Sequence, residues 1–229
     1  MSDAHFRATL KTLSSTIYPV LGPSYNRSDY CHLNLSIDNN ELQSVNVANV
    51  TELGGYVHSV ILRNSAKVAY GGYLEKRDIY QRSEYFNQSN PETERNIHLG
   101  LDLWIKAETS IYAPLDGMLH SFNNNTNFGD YGPCLILEHD IEGVSFFTLY
   151  GHLSLESLRG KEVGQIISKG DEIATLGTPE VNGSYPAHLH FQIIIDLQDH
   201  FGDYPGVSNT KEIEFYKENC PDPNLLLGM

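Results

Sequence analysis

The sequence predicts a mainly β fold, an antiparallel sheet or β-sandwich, preceded by an N-terminal extension with a short helix and extra strands. From residue 97 onward, short segments of alternating apolar and polar residues are separated by turn signals, and helical periodicity is scarce. The clearest pair is 134–139 (CLILEH) and 145–150 (SFFTLY), which flank a turn at 140–143 and predict a β-hairpin. Many short strands of this kind favour a sheet-based architecture.

The first element of the extension is predicted to be a helix. Apolar residues recur at helical intervals at Phe6, Leu10, Leu13 and Ile17, and the pattern stops before Pro19. We therefore expect a short amphipathic helix at the start of the chain.

The rest of the extension alternates between β signals and ambiguous segments. Residues 31–37 (CHLNLSI) alternate like a strand, and 68–74 (VAYGGYL) predicts a β segment bent at its glycine pair. The segments 45–50 and 57–62 fit a short strand or a helix, and their periodicity leaves both open. Residues 81–96 are polar and predict a linker or surface loop.

These patterns divide the chain into three regions. We expect an N-terminal extension over residues 1–90, a β domain over 91–200 and a C-terminal tail over 201–229. The tail is rich in proline, with a short helix predicted near 211–217.

Composition and charge exclude several classes of partner. The 229 residues include 15 basic and 29 acidic side chains, a net charge of −14, which would repel nucleic acid and anionic membranes. No stretch approaches the roughly 20 apolar residues that span a bilayer. We therefore expect neither a nucleic-acid nor a membrane partner, and the sequence leaves the oligomeric state open.

The cysteines and the amino terminus bear on the compartment. Cys31, Cys134 and Cys220 are widely spaced and form no C-x-x-C pair, so the sequence predicts neither a disulfide framework nor a structural zinc knot. The start MSDAHFRATLK shows no signal peptide. We expect a cytoplasmic protein if Met1 is the natural start, and an extracytoplasmic one if the sequence is trimmed.

The stretch 95–104 (RNIHLGLDLW) carries an imidazole and a carboxylate on one face of a predicted strand. Strand periodicity places His98 and Asp102 on the same side and the alternate apolar residues toward a core. The core-facing residues are Ile97, Leu99, Leu101 and Leu103.

The later stretch 187–193 (AHLHFQI) repeats this pattern with two histidines, His188 and His190, on one face. Two such strands side by side would bring His98, Asp102 and one or both of these histidines to one point. Two neutral imidazoles, a carboxylate and an open position make a catalytic zinc site. Either motif alone is better explained as the polar face of a sheet; their combination favours metal but does not decide which histidine binds.

From about residue 95 to 196 the chain resembles the lysostaphin/LytM-type zinc endopeptidases, which cut peptidoglycan cross-bridge peptides. The resemblance implies a β-sandwich of the duplicated hybrid motif type and makes 91–200 a LytM-like metallopeptidase domain. The matching motifs, in order, are RNIHLGLDLW, IYAPLDGMLHSF, GDYGPCLILEHDIEGVSFFTLYGHLS, KEVGQIISKGDEIATLGTPEVNG and AHLHFQI.

Carried over residue by residue, the resemblance implies that His98, Asp102 and His190 bind Zn²⁺. It makes His152 and His188 the unliganded catalytic histidines, one acting as general base and the other on the oxyanion or leaving amine. Which of the two is the base stays open. The implied activity is zinc-dependent hydrolysis of a peptide (amide) bond, with peptidoglycan-type cross-bridge peptides as candidate substrates.

The chain departs from the family pattern near the second motif. Pro186-Ala187 stands where the family usually has Gly-Pro, and Gln192 stands where it usually has Glu. Neither position is an implied ligand, so the implied site is kept. The segments GGYLEKRDIY and CPDPNLLLG are also similar to regions flanking a metallopeptidase-like domain in large aminotransferase fusion proteins, which favours an intracellular substrate.

Two other function classes compete with the peptidase. One is a non-catalytic, metal-containing binding or regulatory module derived from the same fold, such as an accessory domain of an aminotransferase-type fusion protein. The other uses APLDG and KGDEIATLG, which resemble motifs of biotinyl or lipoyl carriers and sugar-phosphotransferase domains; the pair His188 and His190 favours metal over these. His139 is expected at the surface, and Cys134 in the core.

Overall fold

The computed structural model describes residues 3–84, 86, 90, 92–141 and 143–229, and their architecture is mainly β. The helices are α1 (Asp3–Leu13), α2 (Val50–Arg63), α3 (Ile213–Asn219) and α4 (Asn224–Leu227). The strands are β1 (Tyr30–His32), β2 (Val68–Gly71), β3 (Ile97–His98), β4 (Leu101–Trp104), β5 (Ser110–Tyr112), β6 (Gly117–Asn125), β7 (Gly132–Ile141), β8 (Val144–Gly151), β9 (Ile166–Ile167), β10 (Glu172–Thr175), β11 (His188–Ile194) and β12 (Val207–Ser208). The predicted mainly β fold is confirmed.

One large sheet carries strands from the extension and from the β domain. Its order is β1-β2-β4-β11-β8-β7-β6-β9, and all neighbours are antiparallel except the parallel pair β1 and β2. Because β2 pairs directly with β4, the first ninety residues extend the sheet that holds Asp102.

Two small sheets complete the β structure, one formed by β5 and β10 and the other by β3 and β12. Ile111 of β5 and Ile173 of β10 belong to the same buried cluster as Leu135 and Leu189 of the large sheet. The first small sheet therefore packs over one face of the large sheet, and apolar burial between the two layers stabilises the fold.

The helices of the extension follow their apolar spacing. In α1, Phe6 and Leu10 are buried, and the Phe6 ring meets Phe146 edge-on at 5.5 Å, which confirms the predicted first helix. The open choice at 57–62 is settled as helix: α2 begins after Asn49, whose side chain accepts hydrogen bonds from the N–H groups of Thr51 and Glu52. Among the described residues, no helix has both the length and the apolar character to cross a bilayer.

Two predicted β segments are shorter than expected. The strand predicted over 31–37 stops at His32, because the Asn34 side chain accepts from the N–H of Ser36 and turns the chain. The predicted strand 68–74 ends at Gly71, and Gly72 follows with φ of +113°, a conformation that favours glycine.

Later predictions correspond closely to the structure. The hairpin is confirmed as β7 and β8, with Ile141 paired to Val144, although residue 142 of its turn lies outside the described residues. The helix predicted near 211–217 is α3. Of the predicted linker 81–96, residues 85, 87–89 and 91 lie outside the described residues.

The prediction of one continuous strand over 95–104 is wrong. The chain forms β3, which pairs with β12, and β4, which pairs with β2 and β11; residues 99 and 100 separate them. In a continuous strand the Cα atoms of His98 and Asp102 would lie about 13 Å apart, at roughly 3.3 Å per residue. The interruption lets both side chains reach one point.

The expectation of a surface position for His139 is also wrong. Its side chain is fully buried, because β7 is an interior strand covered by neighbouring strands and the facing layer. Its ring nitrogens lie 2.8 Å from the Asp116 carbonyl oxygen and 2.7 Å from Thr148 Oγ1. Burial lowers the pKa of His139 to about 4.

This buried histidine predicts a stability that falls in mild acid. The unfolded chain takes up a proton at His139 below pH 6.5, whereas the folded chain resists protonation until about pH 4. Between pH 7 and pH 5, this unequal proton uptake lowers the free energy of unfolding by about 2 kcal/mol. Urea unfolding at both pH values measures this change. From pH 7 to pH 5, His139→Gln should lose about 2 kcal/mol less stability than wild type.

The matched control is His58→Gln, which replaces an exposed histidine of α2 and should keep the wild-type pH dependence. An equal loss of stability in His139→Gln and wild type would contradict the assignment to His139.

Candidate metal centre

Three side chains from three strands converge in the interior: His98 of β3, Asp102 of β4 and His190 of β11. His98 Nε2 lies 2.8 Å from His190 Nδ1 and 3.2 Å from Asp102 Oδ1. His190 Nδ1 lies 3.4 Å from the same carboxylate oxygen. Donor atoms of a tetrahedral ion with bonds near 2 Å lie about 3.3 Å apart, so this spacing suits one small divalent cation.

Strand register and one glycine bring these ligand atoms together. His190 and Asp102 are directly paired across the β11 and β4 ladder. Gly100, in the interruption before β4, lies against the imidazole of His190: a Cβ there would stand 2.5 Å from His190 Cε1 and 2.9 Å from the Phe191 carbonyl oxygen. The ring therefore occupies space that only a glycine at position 100 leaves.

Hydrogen bonds at the far side of each ring fix the tautomers. His98 Nδ1 lies 2.9 Å from the Gly72 carbonyl oxygen, which can only accept, so Nδ1 donates and Nε2 keeps a lone pair. His190 Nε2 lies 2.9 Å from Gln192 Oε1. Because Gln192 Nε2 donates to the Pro205 carbonyl oxygen, its Oε1 accepts from His190 and leaves the Nδ1 lone pair free.

Three acceptors thus meet with no donor between them. Asp102 Oδ1 is buried and has no hydrogen-bond partner among the described residues. It faces the lone pairs of His98 Nε2 and His190 Nδ1 within 3.4 Å. A buried cluster of this kind is costly unless a cation compensates it, so these residues fit a bound metal ion.

Burial and charge set the protonation states of His98 and Asp102. Burial, together with the positive charge of Arg77, lowers the pKa of His98 to about 4, so its ring is neutral near pH 7. Burial alone would raise the pKa of Asp102, but the positive charge of Arg77 at its Oδ2 holds that pKa well below its usual range. The carboxylate is therefore ionised.

His152 and His188 lie beside this cluster and face each other, with ring centroids 4.2 Å apart. His188 stacks on the Trp104 ring at 4.0 Å, and its Nε2 lies 3.9 Å from Asp102 Oδ1. Burial lowers the pKa of His188 to about 4 and that of His152 well below its usual range. Both rings are neutral near pH 7.

Backbone carbonyls set the tautomers of these two histidines as well. His152 Nδ1 lies 2.8 Å from the Asn182 carbonyl oxygen, and His188 Nδ1 lies 2.8 Å from that of Pro186. Each Nδ1–H therefore donates to a carbonyl, and each Nε2 keeps a lone pair that can accept a proton. The structure brings all five predicted site residues together.

Sequence reasoning missed the partners that orient the ligands. Arg77 Nη1 lies 2.6 Å from Asp102 Oδ2, and Arg77 Nε lies 2.8 Å from Glu75 Oε2. Gln192 also donates to Cys220 Sγ at 3.3 Å. Glu75 and Arg77 lie in GGYLEKRDIY of the extension, and Cys220 opens CPDPNLLLG of the tail. Both segments are outside the M23 motifs, and neither their residue types nor their spacing linked them to the site.

The cleft beside the cluster is lined by side chains from all three regions of the chain. Four tyrosines illustrate this: Tyr80 comes from residues 1–90, Tyr131 and Tyr185 from the β domain, and Tyr204 from the tail. The Tyr131 ring lies 5.1 Å from the His190 ring, and the Tyr185 ring lies 5.0 Å from that of His152. These aromatic walls restrict water around the imidazoles.

The motifs that form this site match a known family. Residues 96–200 match the model described as Peptidase family M23. This segment is a peptidase family M23 domain. The resemblance to lysostaphin/LytM-type peptidases is thereby confirmed for the M23 segment, while the similarity to a domain of aminotransferase fusion proteins stays a prediction.

Solved structures of M23 peptidases are similar to the chain. The lysostaphin catalytic domain from Staphylococcus simulans is 20% identical over 72% of this chain and 97% of that one, with a TM-score of 0.40. A protein described as a putative peptidase M23 from Pseudomonas aeruginosa is 20% identical over 62% of this chain and 52% of its own, with a TM-score of 0.38. A zinc containing peptidase from Vibrio cholerae is 26% identical over 47% of this chain and 30% of its own, with a TM-score of 0.35.

The chain spans about half of the Pseudomonas protein and less than a third of the Vibrio one. A comparison with curated proteins found no match.

The close contact at Gly100 predicts a metal-binding defect in Gly100→Ala. The added Cβ would displace the His190 ring or the Phe191 backbone, and affinity for Zn²⁺ should fall at least about tenfold. Competition with a chromophoric chelator measures this affinity.

Gly55→Ala is the matched control, because a Cβ there meets nothing within 4 Å. It should leave Zn²⁺ affinity unchanged. Wild-type affinity in Gly100→Ala would show that the ring position does not depend on this glycine.

Proposed function

We propose that this protein is a zinc-dependent metallopeptidase that hydrolyses a peptide (amide) bond. The observation that carries the proposal is the uncompensated Asp102 Oδ1 facing two imidazole lone pairs, in a chain whose residues 96–200 are an M23 domain. Two histidines and one carboxylate are a ligand set typical of catalytic zinc sites that keep a fourth position open.

His98 Nε2, Asp102 Oδ1 and His190 Nδ1 would hold the ion. When bound, it would polarise the scissile carbonyl and lower the pKa of a coordinated water. The hydrogen bonds from His98 to Gly72 and from His190 to Gln192 keep the two imidazoles turned toward this position.

His152 and His188 would move the protons. Each presents a neutral Nε2 next to the cluster, so one can take a proton from water as general base. A histidine protonated at Nε2 can then donate to the developing oxyanion or to the leaving amine. The stacked Trp104 ring and the edge of Tyr185 hold these imidazoles in place.

The substrate class follows from the family and is a peptide. Peptidoglycan-type cross-bridge peptides are our candidate, supported by the similarity to lysostaphin, which is described as an antimicrobial peptidase. The net charge of −14 would disfavour strongly anionic substrates. The compartment is part of the proposal: an extracytoplasmic location suits a cell-wall substrate, and a cytoplasmic one suits another peptide or amide.

One observation favours the second candidate, a non-catalytic metal-containing binding or regulatory module. Each of the five site residues is at most 5% exposed. A peptide must reach the cluster through the cleft lined by the tyrosines, and a metal held at such depth could serve structure or regulation alone.

Activity measurements on variants separate the two candidates. His190→Ala should abolish both Zn²⁺ binding and peptide turnover, because it removes a ligand. His152→Ala and His188→Ala should keep the metal and lower kcat by about 10²- to 10⁴-fold, because each removes a proton-transfer group. Turnover of purified peptidoglycan and of a short-peptide library, together with zinc content, measures both effects.

His58→Ala, on the exposed face of α2, is the control and should behave like wild type. Turnover that survives both chelation and His190→Ala would refute the peptidase. A full complement of zinc without turnover of any substrate tested would favour the binding module.

A further inference from the structure

Two of the three predicted metal ligands receive their orienting hydrogen bonds from the N-terminal extension. The carbonyl oxygen of Gly72 accepts from His98 Nδ1 at 2.9 Å, and Arg77 Nη1 donates to Asp102 Oδ2 at 2.6 Å. Both partners precede the M23 segment, which starts at residue 96. The hydrogen bonds that orient these two predicted ligands therefore come from chain outside that segment.

Arg77 is held rigidly where it meets the carboxylate. Its side chain is only 4% exposed, and its Nε donates to Glu75 Oε2 at 2.8 Å. The guanidinium lies against the Gly72 backbone, where a Cβ would stand 2.2 Å from Arg77 Nη2 and 2.8 Å from His98 Nδ1. Gly72, with φ of +113°, thus leaves room for the arginine and orients the histidine.

The hydrogen bond from Arg77 to Asp102 Oδ2 sets the direction in which Asp102 Oδ1 points. With Oδ2 of Asp102 bound to Arg77, the carboxylate cannot rotate freely, and Oδ1 points between His98 Nε2 and His190 Nδ1 at 3.2 and 3.4 Å. That geometry presents a single oxygen to the metal position. Outer partners of this kind tune the affinity of a metal site.

The charge of Arg77 alone would oppose a cation so close by. Glu75 offsets it, because its carboxylate lies 2.8 Å from Arg77 Nε and is 13% exposed. The series Glu75, Arg77 and Asp102 therefore carries one net negative charge. The arginine can orient Asp102 without cancelling the charge that attracts the metal.

We propose that Arg77 is a positioning residue of the metal centre, with Glu75 as its counter-ion, so that the N-terminal extension is an integral part of the site. The inference rests on the proposed metallopeptidase function only in requiring that the cluster binds a divalent metal. It requires no turnover.

Metal affinity of the full chain tests the proposal. We expect Arg77→Gln to bind Zn²⁺ about 10- to 100-fold more weakly than wild type. Arg77→Lys should fall between them, because lysine keeps the charge but loses the rigid two-sided fork. Glu75→Gln should weaken binding about threefold or more, because it leaves the arginine charge uncompensated.

The matched control is Arg63→Gln, which removes an arginine of the same extension that bridges Glu41 in solvent. It should bind Zn²⁺ like wild type. The visible spectrum of the Co²⁺-loaded protein supplies a second readout: it should change in Arg77→Gln, where the carboxylate is released, and stay unchanged in Arg63→Gln.

Each outcome decides. Wild-type or tighter Zn²⁺ affinity in folded Arg77→Gln would overturn the proposal, as would a lowered melting temperature with unchanged affinity and spectrum. If Arg77→Gln does not fold, the Arg77→Lys and Glu75→Gln affinities decide in the same way. Weakened affinity in a protein that cleaves no peptide would refute only the peptidase, and a wild-type chain that binds no Zn²⁺ would overturn both.

Discussion

The architecture of the site depends on a buried cluster of hydrogen-bond acceptors that carries a negative charge. Two imidazole lone pairs and one carboxylate oxygen of Asp102 meet within 3.4 Å, and among the described residues no donor satisfies that oxygen. Such a cluster opposes folding unless a cation fills it. The surrounding residues therefore have to supply hydrogen bonds that keep the acceptors together, and under the proposed function folding and metal binding would be coupled.

Three regions of the chain share that task. The extension provides Gly72 and Arg77, and the β domain provides the predicted metal ligands. The tail contacts Gln192, the partner of His190, through Pro205 and Cys220. The large sheet explains how this works, since β2 of the extension lies directly beside β4. The arrangement places an M23 domain inside a larger structural unit.

The sequence predicted the site better than the path of the chain through it. Alternation in two short motifs predicted that His98 and Asp102 lie near His188 and His190, because strand period is a local property; His152 was added only by the family resemblance. The break at Gly100 was missed, because apolar residues continue to alternate across it. Arg77 could not be found, because its partner Asp102 is distant in sequence and joins it only through sheet pairing. His139 was misplaced, because position within a sheet is decided by neighbouring strands.

The pairing of β2 with β4 has a consequence for any shortened form of this protein. A polypeptide restricted to residues 96–200 would lack β2 and leave β4 (Leu101–Trp104) as an uncovered edge of the sheet. The residues of β4 are all buried in the full chain, so that edge would combine apolar side chains with unpaired backbone groups. Such an edge is a template for intermolecular β-pairing. By covering β4, the extension also protects the sheet against self-association.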